Sequence, residues 1–305
     1  MATSGSAHIE ASSRSRTKRR GEGGFGVRFD YDGTGDSFGD DTDPDRVGAW
    51  LRSVDDAIDL ARASGATRIV LMGVRWGAAL AATAASRRDD VDALCLVAPV
   101  VSGRAYAREL KLLQAALALA PDPSRPASDE APDEALGFVL GSETRAAMGK
   151  VDLAKLPKTA PRVLVIDRDD MPATDGLAQH LRALGAQVAV ERLPGYLEMT
   201  ADPHKAVIPA RMLDAVGELV AASAPSATEG VAIEAALFPT MTAAEGVVES
   251  PLVLEKRPAG GLFGILTEPA AGTSPARGRL GILLMNAGAV HHVGPNRLYV
   301  TLARR

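Results

Sequence analysis

The stretch Leu71-Met72-Gly73-Val74-Arg75-Trp76-Gly77-Ala78-Ala79 decides how the rest of the chain is read. An apolar run over residues 68–72 stops at a glycine and gives way to an alanine-rich helical pattern over 78–85. Glycines 73 and 77 bracket one central residue, the G-x-S-x-G layout of a nucleophile elbow. In such an elbow a sharp strand-to-helix turn thrusts the central side chain outward, and its backbone packs too closely for a Cβ at the glycines. The central residue here is Arg75. A guanidinium stays protonated in a protein and cannot serve as an acyl-accepting nucleophile. The motif specifies an architecture while lacking the chemistry that usually accompanies it.

Working outward, strand and helix signals alternate. Residues 27–31 read as a short strand, followed by the turn-rich loop Asp32-Gly33-Thr34-Gly35-Asp36. Asp43-Pro44 opens a helix in which Val47, Trp50, Leu51, Val54, Ile58 and Leu60 recur at helical spacing until Gly65. Beyond the elbow, apolar strands are expected at 93–97, 162–166 and 187–192, with helices at 175–184 and 203–222. Unbroken apolar strands interleaved with helices predict an α/β fold with a mostly parallel sheet covered on both faces. Residues 103–158 interrupt the alternation with a helix at 105–119, a Pro/Asp/Ser loop at 121–133 and a weakly helical run at 134–154. This insertion reads as a helical cap.

The ends differ from the middle. Residues 1–23 are rich in Ser, Gly and Arg and are expected to be a disordered tail rather than a basic anchoring arm. Residues 221–246 begin with AASAPSATEG and read as a linker. Strands are then expected at 247–254, 261–267 and 280–285, with a turn at Asn286-Ala287-Gly288 and a helix starting at Pro295. Three strands and one cut-off helix are too little for a stable domain of their own.

Composition narrows the function classes. The 305 residues are 46% apolar with a formal net charge of −4, so nothing in the overall charge points to nucleic acid or an anionic membrane. No apolar run reaches the length of a membrane span, and no secretory apolar region follows the start. The single cysteine, Cys95, excludes an internal disulfide framework, fits a reducing cytoplasm, and lies in an apolar run where an inert buried thiol is expected. No cofactor is expected. His291 and His292 have no Cys, Asp or Glu nearby at ligand spacing, so no metal site is expected either.

Four segments together resemble α/β-hydrolases of the serine aminopeptidase and lipase-like type: residues 28–37 (RFDYDGTGDS), the elbow, 94–106 (LCLVAPVVSGRAY) and 163–172 (VLVIDRDDMP). With residues 193–204 they cover most of 24–220, and the nearest likeness is to the bacterial branch associated with exosortase and exopolysaccharide loci. The segment 261–305 resembles the beginning of such a domain, which the part starting at residue 24 lacks. Two organisations are open. One is a tandem protein whose first copy lacks its start and whose second is truncated. The other is an effective circular permutation, in which 247–305 folds back to complete 24–220. The permuted form leaves fewer sheet edges and apolar strands exposed.

The resemblance implies a carboxylic ester or amide hydrolase with its pocket at the elbow. It puts Arg75 at the nucleophile position, Asp170 at the acid position, and the N–H of Trp76 with the Asn286-Ala287 turn at the oxyanion hole. His204 is the candidate histidine, although it lies well past Gly195, where the family places one sooner. His291 is a candidate to line the pocket. The competing reading of the Asp167, Asp169 and Asp170 cluster is a solvated loop or helix cap. That of His204 is a surface residue at a helix start. Without a nucleophile, weak or absent turnover is expected, and the alternative is a binding protein for a small acyl or anionic ligand or a partner, with Arg75 at the pocket floor. A minor alternative comes from Asp30-Tyr31-Asp32-Gly33-Thr34, which matches the D-x-D-G-T of magnesium-dependent phosphatases.

Overall fold

The computed structural model describes residues 9–10, 26–118, 134–135, 138–201, 205–223, 241–244, 247–257, 260–270, 284 and 298–304. The chain divides into one unit formed by its two ends, Met1–Gly39 with Glu229–Arg305, and a second formed by Asp40–Thr228. The end unit opens with β1 (Ile9–Glu10) paired antiparallel to β2 (Arg28–Phe29), so a strand occurs inside the stretch expected to be a tail.

The middle unit begins with α1 (Arg46–Ala63), whose buried Val47, Leu51, Val54, Ile58 and Ala61 form one apolar stripe. Gly65, at φ 91°, ends it, with Ala66 N–H donating to the Ala61 carbonyl at 3.0 Å. Next come β3 (Val70–Val74), α2 (Trp76–Ala85) and β4 (Ala93–Val97). In α2, Ala78, Ala79, Leu80, Ala81, Ala82, Ala84 and Ala85 are all buried, so the helix is enclosed nearly all round. The cap region holds α3 (Gly103–Ala118), a hairpin of β5 (Glu134–Ala135) and β6 (Phe138–Val139), and α4 (Ser142–Met148). The expected weak helix over 134–154 is therefore a hairpin followed by a short helix. Gly141, extended at φ −56° and ψ 161°, marks where the helix can start.

The alternation resumes with β7 (Arg162–Arg168), α5 (Asp175–Ala183), β8 (Gln187–Leu193), the short α6 (Tyr196–Met199) and α7 (Ala210–Ser223). The last helix starts later than Pro203 because the residue before Pro209 is disfavoured in helical conformation. The sheet runs β3-β4-β7-β8, all parallel, with Met72, Cys95, Leu164 and Ala189 in register. All five residues of β4 are buried. Cys95, Val97, Leu164, Ile166, Leu193 and Tyr196 pack with Met212 and Ala215 of α7. This is the expected α/β architecture of the α/β-hydrolase type, but only the inner strands β4 and β7 are buried on both faces. In the outer strands Met72 of β3 is 52% exposed and Val190 of β8 36%, so the expected cover over both faces is not found along the whole sheet.

Burial pushes the Cys95 thiol up to about 12, with Glu191 adding to the shift. An aromatic disulfide reagent is expected to leave the native protein unlabelled and to react at full stoichiometry only in denaturant. Rapid labelling of the native chain would contradict this packing.

The end unit closes with β9 (Met241–Ala244), β10 (Val247–Arg257), β11 (Gly260–Pro269) and α8 (Leu298–Ala303). The three strands form an antiparallel sheet ordered β11-β10-β9, so the expected linker carries a strand near its end. Of the strand expected at 280–285 only Leu284 is described, and it is not in a strand. The turn at 286–288 lies outside the described residues.

Candidate functional site

The elbow is built as its glycines require. A Cβ on Gly73 would lie 2.4 Å from the backbone of Ala78 and Gly77, so strand and helix meet there without room for a side chain. Arg75 stands between them at φ 53° and ψ −116°, a strained backbone for any residue but glycine. Its N–H donates to the Val97 carbonyl at 2.9 Å, and its carbonyl accepts from Ala78 at 3.1 Å and Val100 at 3.3 Å. These bonds tie the turn to the end of β4.

The Arg75 side chain is firmly engaged. Its guanidinium donates to the Glu109 carboxylate at 2.5 Å and lies over the Tyr106 ring at 5.1 Å. The Tyr106 ring stacks on Trp76 at 5.9 Å. Arg75 is about one-fifth exposed and Glu109 nearly half, so solvent reaches the pair from the carboxylate side. The Trp76 backbone N–H is a first-turn donor that no carbonyl of its own helix can reach. Among the described residues, its indole Nε1 is buried and without a hydrogen-bond partner.

A second arginine–tyrosine stack adjoins the first. Arg168, at the end of β7, donates twice to Asp170, at 2.8 and 2.5 Å, and lies 4.1 Å over the Tyr196 ring. The Tyr106 hydroxyl is pushed up by burial, opposed by Arg75 and reinforced by Glu109 and Tyr196, which makes the two stacks electrostatic neighbours. Asp170, the residue expected at the acid position, is held below its usual range by its hydrogen bonds with Arg168. It is an ion-pair partner in this arrangement. Asp167 is buried and accepts from the N–H and hydroxyl of Thr174, the residue before α5, at 2.8 and 2.6 Å. Arg192 fixes the intervening loop through the Asp169 and Met171 carbonyls.

The structure therefore surrounds Arg75 with Trp76, Tyr106 and Glu109, and sets Asp170 against Arg168. His204, Asn286, Ala287 and His291 lie outside the described residues. Tyr106, Arg168 and Tyr196 lie inside the segments that carry the resemblance but have no role assigned there, and Glu109 lies outside them. Their sequence signals were the spacing of Tyr106 and Glu109 on one helical face and the position of Tyr196 just after Gly195. Among the described residues no group of three or more His, Cys, Asp or Glu is placed to hold a metal ion.

A parallel sheet, a strained elbow after its outer strand and a helical cap define the α/β-hydrolase architecture. Comparison with known proteins adds a partial likeness to one family. Residues 19–135, under half of the chain, match the family model described as serine aminopeptidase, S33. That span holds three of the four resembling segments: the loop at 28–37, the elbow and residues 94–106. No curated protein matches the chain. Among solved structures, an esterase of Pyrococcus furiosus is 14% identical with a TM-score of 0.45, over 65% of this chain and 69% of that one. A proline iminopeptidase-related protein of Thermus thermophilus is 23% identical with a TM-score of 0.42, over 65% and 80%. The bottromycin epimerase, in complex with bottromycin A2, is 15% identical with a TM-score of 0.43, over 66% and 80%.

Proposed function

We propose that this chain is a hydrolase-fold protein with little or no ester or amide turnover, whose elbow binds a small carboxylate or other acyl anion. The observation that carries this reading is Arg75, which keeps the strained elbow backbone while its guanidinium is paired with Glu109 over Tyr106. An arginine cannot accept an acyl group, but its fork matches a carboxylate. Glu109 already occupies the place a ligand carboxylate would take. An incoming anion exchanges one charge-assisted bond for another, with Trp76 and Tyr106 supplying flat apolar surface beside it.

The test pairs catalysis with binding. Native protein is expected to be silent toward short-chain p-nitrophenyl esters. It is expected to bind benzoate with a change in tryptophan fluorescence, and Arg75→Met is expected to weaken that binding about tenfold or more, the loss of one hydrogen bond to a charged group. Ester hydrolysis by the native chain that Asp170→Asn abolishes would overturn the proposal in favour of an active hydrolase.

The Mg-dependent phosphatase reading is weaker. The Asp30 carboxylate accepts the Asp36 N–H at 3.3 Å within its own loop, and its carbonyl accepts the Ser37 hydroxyl. A magnesium-dependent phosphatase signal lost in Asp30→Asn would revive it. We also place the protein nearest the exosortase-associated branch, in the cytoplasm, and in the permuted form. Among the described residues no helix is long and apolar enough to cross a membrane. What supports the permuted form is Arg304, which follows α8 and bonds residues 36 and 37 within the end unit; among the described strands, β9, β10 and β11 form their own sheet and none pairs with β3, β4, β7 or β8.

A further inference from the structure

α3 has two functional faces. Tyr106 and Glu109 point at the elbow, whereas Arg104, Arg108 and Lys111, spaced i, i+4 and i+7, share the opposite face. With Arg145 and Lys150 from α4 and the turn after it, these three line a groove of about 550 Å³. Its remaining lining is small: Ala107, Ala146 and Gly149 leave the space open and the cations around it. Next to the groove the start of α3 packs closely on the end of α4, since a Cβ on Gly103 would meet the Met148 carbonyl and only glycine fits there.

Several arginines of the unit are matched to carboxylates, Arg62 to Asp90 and Asp92, Arg87 to Asp55, Arg88 to Asp59 and Asp90, and others such as Arg182 and Arg192 are bonded to carbonyls. Among the described residues, Arg104, Arg108, Lys111 and Lys150 have no carboxylate within ion-pair distance. Arg145 donates to the Leu140 carbonyl at 2.8 Å, which fixes its stem at the groove wall. Arg104, Arg108, Lys111 and Lys150 converge on one groove and repel one another unless an anion lies between them.

We infer that the α3–α4 groove is a binding site for a small, multiply charged anion bearing phosphate or carboxylate groups, separate from the elbow. The volume is that of a small-molecule site, which suits a compact ligand rather than a polymer. Guanidinium forks from Arg104 and Arg108 engage paired oxygens, with Lys111 and Lys150 as point charges.

Calorimetric titration of the full-length protein at low ionic strength tests this, with tripolyphosphate and citrate as separate probes. At least one probe is expected to bind, more weakly as salt rises. The exposed-site variant Arg104→Gln/Lys111→Gln should lose at least tenfold in affinity while its circular dichroism is unchanged, and Arg75→Met should bind as the native chain does. The stronger probe identifies the ligand chemistry. Ala146→Phe, which fills the groove without removing charge, should weaken binding as well. No binding of either probe, equal binding by the double variant, or loss in Arg75→Met would each overturn the assignment. So would tight binding of a DNA oligonucleotide with neither small anion bound, which would make the face a nucleic-acid surface.

Discussion

Replacing Arg304 with methionine is expected to destabilise the unit formed by the chain's two ends by about 3–5 kcal/mol, the cost of leaving a buried charge without its partner. Glu249 is 3% exposed and Arg304 14%. The guanidinium makes two bonds to that carboxylate, at 2.9 and 2.7 Å, and reaches the carbonyls of Asp36 at 2.8 Å and Ser37 at 3.2 Å. One side chain thus ties the end of α8, the strand β10 and the loop after β2. Without it Glu249 keeps, among the described residues, the Thr267 hydroxyl at 3.2 Å. Amide hydrogen exchange in β10 and at residues 36–39 should accelerate by about a hundredfold or more, at 1.4 kcal/mol per tenfold. Adding Glu249→Gln to the variant should restore part of the protection, because it removes the orphaned charge. Unchanged exchange in Arg304→Met would show that this network does not hold the ends together, and the permuted organisation would lose its main support.

Gly73→Ala is expected to have the second large effect. The new methyl group would lie 2.4 Å from the Ala78 nitrogen and from the Gly77 carbonyl carbon and oxygen, all backbone atoms that cannot rotate away. The only relief is to move α2 off β3, and α2 is enclosed nearly all round. Overpacking usually costs about 1–3 kcal/mol, and a clash with main chain belongs at or beyond the top of that range. Urea unfolding should show a fall in midpoint with little change in slope, and anion binding at Arg75 should be lost as the turn distorts. A shift within about 0.5 kcal/mol, the range of an ordinary surface substitution, would mean that the turn is looser than described.

Much of the fold was legible because its signals are local and redundant. Unbroken apolar runs gave β3, β4, β7 and β8, and Gly65 and Gly185 stopped α1 and α5 where expected. The cap was harder to read: residues 134–154 have weak periodicity, and a two-residue hairpin leaves no alternation to detect. At the site, Arg75 was visible because glycines frame it. Its partners were not, since Glu109 and Tyr106 come from a helix 30 or more residues onward and meet it only through tertiary packing. Asp170 was found by position, but its capture by Arg168 depends on side-chain direction at the end of a strand. The basic groove was obscured by the net charge of −4, which averages away a patch made by two helices of the cap.

The bonds that hold the elbow have a further consequence. Arg75 N–H to Val97, its carbonyl to Ala78 and Val100, and the bare Cα of Gly73 are all main-chain features. None of them touches the guanidinium. Position 75 therefore works as a display port: the scaffold presents whatever side chain the codon supplies, at the same place and in the same direction, so the reagent can be exchanged without rebuilding the socket.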